Sequence, residues 1–365
     1  MEARRILILT ASYGGGHRAV SSAIEAYYRD YSDAEVRVID LLDVAAPQLN
    51  VLAKFAYQRS ESFFPTMTGS FSQLEEAFPD SQVVQEVKAS GLGHLGSIID
   101  DWAPHAVVSV CPLAAGIAAE VKANRAFLAV SVSLDYRGES SWIHPSTDIH
   151  FVPCKETRED LVVRGIPWDR IVVSGIPVSK SFSEPCSRTD ALSEFGLLDR
   201  FTVLFTPTTG TPADIREIVK RLLDQGVQVA VVAGHNDRLR HSLEALGESN
   251  RFLRVFGYVE DMPSMMCAAD LFVGRAGGPG LPEALASGLP LIIMGPVPGQ
   301  VLPNVDFIAN YGAGLYARDG DDVVEKVKFL SSHVERLAQM ATDARLMGRS
   351  NAVHTVCERV AAAVR

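Results

Sequence analysis

Twice in this chain an apolar run stops at a cluster of glycines and resumes as a helix-like stretch. Near the N-terminus Arg5–Ala11 leads into Tyr13-Gly14-Gly15-Gly16-His17-Arg18, and Ala19–Asp30 follows. In the second half Ala269–Gly274 leads into Arg275-Ala276-Gly277-Gly278-Pro279-Gly280, and Leu281–Ser287 follows. Glycine permits the tight or left-handed backbone that a strand needs in order to turn straight into a helix. A turn of this kind also presents backbone N–H groups and the positive end of a helix to an anion. The pair predicts two α/β domains facing one cleft. One difference separates the turns: the first carries a histidine and the second does not.

The sequence between the turns alternates in the same way. Strands are predicted at Arg5–Thr10, Val36–Asp40, Ala106–Val110, Ala126–Val132, Ile149–Val152 and Ile171–Val173, with helices at Ala19–Tyr31, Ser81–Asp101 and Leu113–Lys122. The polar stretch Ser179–Arg188, which contains Pro185, has the composition of a linker. The pattern then restarts, with strands at Thr202–Phe205, Gln228–Val232, Leu253–Phe256, Leu271–Val273 and Leu289–Ile293. Alternation of this kind implies parallel sheets covered by helices on both faces. The expected organisation is therefore two Rossmann-like domains, 1–180 and 190–340. The helical stretch 341–365 at the end is expected to cross back to the first.

Composition narrows the class. A formal charge of −10 disfavours nucleic acid as a partner, because phosphate backbones select a basic surface. No apolar run approaches the roughly 20 residues of a membrane-spanning helix. The segment Arg4–Thr10 is too short in its apolar part for a signal peptide. Five scattered cysteines without a CxxC pair argue against a structural zinc site and a disulfide framework, and a reduced, cytoplasmic setting is expected. Segment 45–80 breaks the alternation with aromatics that include Phe63 and Phe64. It reads either as a cap on the first domain or as a surface that meets lipid or an apolar acceptor.

The densest set of polar and glycine signals runs from Phe256 to Leu315. A diphosphate fits the turn at Gly277, Gly278 and Gly280, held by backbone N–H groups. Glu283, one helical turn on, is suited to accept from ribose hydroxyls. Gln300 and Asn304 are candidates for sugar hydroxyls, and Tyr258 and Val259 for the flanks of a base. His17 is the candidate general base, since an imidazole titrates near neutral pH and a helix N-terminus would keep it uncharged. Its neighbour Gly16 would allow the donor to approach closely.

This ordered set resembles the monogalactosyldiacylglycerol synthase and processive diacylglycerol glucosyltransferase family, and more distantly the bacterial GlcNAc transferase of peptidoglycan lipid synthesis. Tyr13–Ala19 is similar to the family's GGGHR turn, Gly277–Ala284 to its GG-x-T-x-x-EA segment and Pro296–Asn304 to its PxPGQExxN segment. Ala233-Gly234-His235-Asn236 is similar to its CGxN turn, and Gly175-Ile176-Pro177-Val178 to its GIPV turn. The segment from Asp135 to Trp142 and His144 is similar to its TD…W-x-H stretch. The resemblance implies a GT-B fold, UDP-sugar donors, inverting chemistry without a bound metal or cofactor, and a diacylglycerol acceptor at the membrane surface.

It also implies roles for single residues. Asn236 becomes a donor contact, Asp135 a group that orients His17 or binds the acceptor, and Trp142 an acceptor contact. Two departures stand out. The carboxylate that often follows Gln300 is Val301 here, which leaves the donor hexose open. The second domain opens on Thr206-Pro207-Thr208-Thr209-Gly210-Thr211 where relatives have more glycine. A polyprenyl-linked or soluble acceptor, or nucleotide-sugar binding without turnover, remains an alternative reading of the same residues.

Overall fold

The computed structural model describes residues 3–11, 15–45, 82–207, 210–297 and 301–364. Tyr13, Phe63, Phe64 and Gln300, with the lipid or acceptor surface expected over 45–80, lie outside the described residues, save for Ala45 at the end of a helix. The chain divides into two compact units: Met1–Lys180 with Ser350–Arg365, and Ser181–Arg349.

The first unit is a six-stranded parallel sheet. Its strands are β1 (Arg5–Thr10), β2 (Glu35–Asp40), β3 (Ala106–Ser109), β4 (Leu128–Val132), β5 (Ile149–Val152) and β6 (Ile171–Val173), in the order β2-β1-β3-β4-β5-β6. Its helices include α1 (Gly15–Tyr31), α2 (Leu41–Ala45), α3 (Gln82–Trp102), α4 (Pro112–Val121) and α5 (Lys155–Val163). Strands covered on both faces must be apolar throughout, and Ile6, Leu7, Ile8 and Leu9 are all fully buried. α1 buries Val20, Ala23, Ile24, Tyr27 and Tyr28, the three-and-four spacing of one helical face.

The second unit repeats the plan. It comprises α6 (Arg188–Glu194), β7 (Thr202–Phe205), α7 (Pro212–Asp224), β8 (Gln228–Val232), α8 (Asp237–Ser249), β9 (Leu253–Phe256), α9 (Met262–Cys267), β10 (Leu271–Gly274), α10 (Gly280–Ala286), β11 (Leu291–Met294), α11 (Leu302–Asn310), β12 (Gly314–Ala317), α12 (Gly320–Ser332) and α13 (Val334–Met347). Its parallel sheet runs β12-β11-β10-β7-β8-β9.

Several features depart from the sequence expectation. The C-terminal helical run is broken: α13 ends at Met347, and α14 (Ala352–Ala363) starts anew. The chain returns to the first unit at Ser350, not at 341, and there Tyr28 donates from its hydroxyl to the Cys357 carbonyl of α14 at 3.1 Å. α5 and β12 were not anticipated. The first is strongly polar, and the second is only four residues long and starts at a glycine.

Cys186 and Cys267 form a disulfide, against the expectation of five unpaired thiols. They are 81 residues apart in sequence, and packing of α6 on α9 brings them together. Arg188 reinforces the same corner through the Asp270 carboxylate at 2.9 Å. No helix among the described residues is long and apolar enough to cross a membrane.

Candidate active site

In a doubly wound sheet the ligand crevice lies where successive crossovers run in opposite directions. In the first sheet that point is between β1 and β3; in the second it is between β7 and β10. Each glycine turn leaves a strand at one of these points: the first leaves β1 and the second leaves β10.

At the first turn, α1 begins at Gly15, with Gly16 half-buried in its opening turn. His17 follows, and its Nδ1 lies 2.7 Å from the carbonyl oxygen of Val110, just beyond β3. A carbonyl only accepts, so the proton is on Nδ1 and Nε2 carries the lone pair. Val110 cannot drift, because its own N–H donates to Leu9 of β1 at 3.0 Å. The adjacent strand thus sets the tautomer.

Burial holds the imidazole pKa below its ordinary 6.5, opposed by the Val110 hydrogen bond and by the charge of Asp40. The sequence argument credited the helix terminus with this effect; loss of hydration does the main part. Asp40 closes β2, and its carboxylate accepts from the Leu42 N–H at 3.0 Å. Asp135, half-buried, lies in the bend after β4, beyond the same carboxyl edge of the sheet as His17.

Trp142 sits elsewhere than expected. Its ring is 1% exposed and packs with its 3-10 turn against α4, so it is a core residue and offers no face to an acceptor. His144 is spent in the same way. Its Nε2 bonds the Ser141 carbonyl at 3.1 Å, and its ring lies against Gly116 of α4.

At the second turn, each glycine has a separate reason. Gly278 has φ of +80°, and a Cβ there would meet nothing within 4 Å, so the turn is open on that side. Gly280 is the reverse: a Cβ would lie 2.9 Å from the Phe272 ring, so only glycine lets α10 start so close to the sheet. α10 has seven residues, too few for a strong dipole, and the anion-binding character of the site falls more on the turn itself. Gly277 lies between two side chains. The Val301 methyl Cγ1 is 3.5 Å from where its Cβ would be, and Nε and Nη2 of Arg275 are each 3.9 Å away.

Asn304 is 4% exposed, and its amide donates to the Ala276 carbonyl at 3.2 Å. A buried amide must find such a partner, so part of its hydrogen-bonding capacity braces the turn. Glu283 is half-buried, and burial alone pushes its carboxyl up to about 7. The Thr206 N–H donates to Val273 of β10 at 2.9 Å, which laces the start of the Thr206–Thr211 loop to the strand that carries the turn.

Farther along the carboxyl edge, Asn236 caps α8, its side-chain oxygen accepting from the Leu239 N–H at 3.0 Å. Tyr258 is 66% exposed and stacks on His235, with ring centroids 4.9 Å apart and planes 8° from parallel. Val259 beside it is half-buried. Sequence reasoning passed over His235, Arg275 and the Val110 carbonyl. Only Arg275 had a legible signal, as a cation opening an anion-binding turn. Among the described residues no group of three or more His, Cys, Asp or Glu side chains is arranged to hold a metal.

Comparison with known proteins agrees with this division. Residues 17–178 match the monogalactosyldiacylglycerol synthase family and residues 213–356 the glycosyltransferase family 28 C-terminal domain. The chain is thus a glycosyltransferase. It is 27% identical over 340 residues to a processive diacylglycerol beta-glucosyltransferase of Bacillus cytotoxicus, covering 92% of this chain and 88% of that one.

Among solved structures, Acinetobacter baumannii MurG has a TM-score of 0.63 at 14% identity, with 99% of this chain and 100% of that one covered. A co-structure of MnaA from S. aureus with UDP has the same TM-score and identity, with 97% and 94% covered. At that identity the likeness is one of fold: two parallel sheets in the GT-B class.

Proposed function

We propose that this enzyme transfers a hexose from a UDP-sugar to diacylglycerol with inversion at the anomeric carbon, in glycolipid synthesis. The observation that carries the reading is the His17 imidazole at the first switch point, its Nδ1–H fixed on Val110 so that Nε2 is basic. In the proposed step Nε2 takes the proton of the acceptor hydroxyl. The hydroxyl oxygen forms its bond to the anomeric carbon as the sugar–phosphate bond breaks, and the electron pair leaves with UDP. A base positioned in this way contributes on the order of 10²- to 10⁴-fold in rate.

The glycine turn at Gly277, Gly278 and Gly280, with Glu283 beside it, is the proposed donor seat. The relatives named diacylglycerol glucosyltransferases support the lipid acceptor, and the MnaA fold relative solved with UDP supports the donor. We further propose that the reaction requires no divalent cation and takes place at the cytoplasmic face of a membrane, with Phe63 and Phe64 meeting lipid.

The test is incubation with UDP-glucose, UDP-galactose or UDP-GlcNAc and diacylglycerol vesicles, with and without a chelator. Glycolipid of inverted anomeric configuration from one donor, chelator present, is the expected product. UDP release without glycolipid would overturn the lipid acceptor. Replacing Phe63 and Phe64 by Ser is expected to weaken vesicle binding, and unchanged sedimentation with vesicles would remove the lipid role of that segment.

A further inference from the structure

Of the five cysteines, Cys111, Cys154 and Cys357 are free and buried. The disulfide between Cys186 and Cys267 lies nearer the surface. Cys186 is exposed in the segment before α6, and Cys267 is half-buried at the last position of α9. Exposed disulfides are the labile ones, because another thiol can reach them. The corner that this bond joins does not depend on it. Arg188, just beyond Cys186, donates to the Asp270 carboxylate at 2.9 Å and to the Ala269 carbonyl at 3.3 Å. The same carboxylate oxygen accepts the Thr202 N–H of β7 at 2.8 Å. α6 buries Ala191 and Leu192, and α9 buries Met265 and Met266. Opening the S–S bond therefore leaves both helices seated and removes one tie, at the C-terminal end of α9. The place of α9 gives that tie a consequence. Tyr258 and Val259, the residues expected to flank the base, come shortly before it, and β10, which carries the second glycine turn, begins shortly after Cys267.

We propose that Cys186–Cys267 is a thiol–disulfide exchange site whose state tunes the donor seat through α9. The effect on the donor rests on the nucleoside-diphosphate-sugar reading above; the exchange itself does not. The co-reactant is a low-molecular-weight thiol of the glutathione class. Its thiolate attacks Sγ of Cys186 and forms a mixed disulfide there. The electron pair of the broken S–S bond leaves on Sγ of Cys267, which takes up a proton. A second thiolate attacks the small-molecule sulfur of the mixed disulfide and frees Cys186, which is protonated in turn. Two small thiols are thus oxidised to their disulfide as the protein gains two electrons and two protons. The oxidised small molecule drives the same steps in reverse.

The experiment equilibrates the folded protein with reduced or oxidised glutathione. It follows thiols labelled without denaturant, UDP affinity and melting temperature. Reduced glutathione is expected to yield two labelled thiols and to weaken UDP binding by about fivefold, the lower end of coupling between two sites. One cooperative melting transition should persist at a lower temperature, and oxidised glutathione should restore all three readouts. Cys186→Ser should bind UDP as the reduced protein does and ignore the glutathione ratio. No labelling in reduced glutathione would make the bond a permanent staple and overturn the proposal, as would loss of the melting transition on reduction. Equal UDP affinity in both states, with exchange intact, would overturn the link through α9 and leave the donor reading standing. A wild type that binds no UDP in either state would overturn the donor reading and the link together, with the labelling still deciding the exchange.

Discussion

The two glycine turns occupy equivalent points in two similar sheets, yet the fold equips them in opposite ways. Around the first, hydrogen-bonding capacity is taken up: the His17 imidazole is pinned on Val110 and Asp40 caps the start of α2. Around the second, capacity is left over: Arg275 has no partner among the described residues, and half-buried Glu283 has no charge or hydrogen bond offsetting its desolvation. A group that moves a proton has to be held in one tautomer and one place. A group that binds a charged ligand is better left unsatisfied until the ligand arrives. The difference between the turns is thus one between positioning and reception.

Replacing His17 should separate these roles most sharply. His17→Ala is expected to lower turnover on the order of 10²- to 10⁴-fold while leaving UDP affinity unchanged. Full turnover in that variant would end the distinction.

At the second turn, Glu283→Gln should weaken donor binding by about tenfold, the loss of one good polar contact of ~1.4 kcal/mol. Its effect on stability should have the opposite sign. The folded pKa of Glu283 lies near 7, above its ordinary 4.5. Its contribution to stability is therefore complete below pH 4.5 and lost as pH rises through about 7. The glutamine variant should melt above wild type at pH 8, and the gap should close toward pH 5. A lower melting temperature at pH 8 would show that Glu283 has a structural partner.

Asn304→Ala removes the brace on Ala276. Leaving that carbonyl without its partner should reduce stability by ~1–3 kcal/mol, and calorimetry will read it. An unchanged melting temperature would show that the turn holds without the brace.

The smallest effect concerns Asp40. Only neutral imidazole accepts a proton, so turnover should fall as pH drops through the His17 pKa, which lies below 6.5. Asp40→Asn removes a charge that opposes the shift, and the acid limb should move lower by under about one pH unit. An unmoved limb would mean that His17 is tuned by burial and Val110 alone.

The legibility of the site follows the range of the interactions. The β-strands of each sheet alternate with helices at short spacing, and their apolar runs are local; eleven of the twelve strands were readable in sequence, as was the divide near Lys180. Gly314–Ala317 hid because a four-residue strand beginning at glycine carries little local preference. The long C-terminal run looked continuous because α13 and α14 are both amphipathic, and the break between them comes from their packing on different units. Trp142 was misplaced because its aromatic ring suits a core as well as a lipid contact. Its burial depends on α4, more than twenty residues earlier.

By itself the sequence determined which groups are available: two glycine turns, one histidine at the first, and an arginine, a glutamate and an asparagine at or after the second. Tertiary structure alone decided which of them are engaged. His17 is 93 residues from the carbonyl that orients it, and Asn304 is 28 residues from the one it braces. Cys186 pairs across 81 residues. The partial burial of Glu283, and the lack of a partner for Arg275 among the described residues, depend on strands that sequence order does not place side by side. Local preference is written in neighbouring residues, whereas hydration and hydrogen-bond partnership are set by whatever the folded chain brings within a few ångströms.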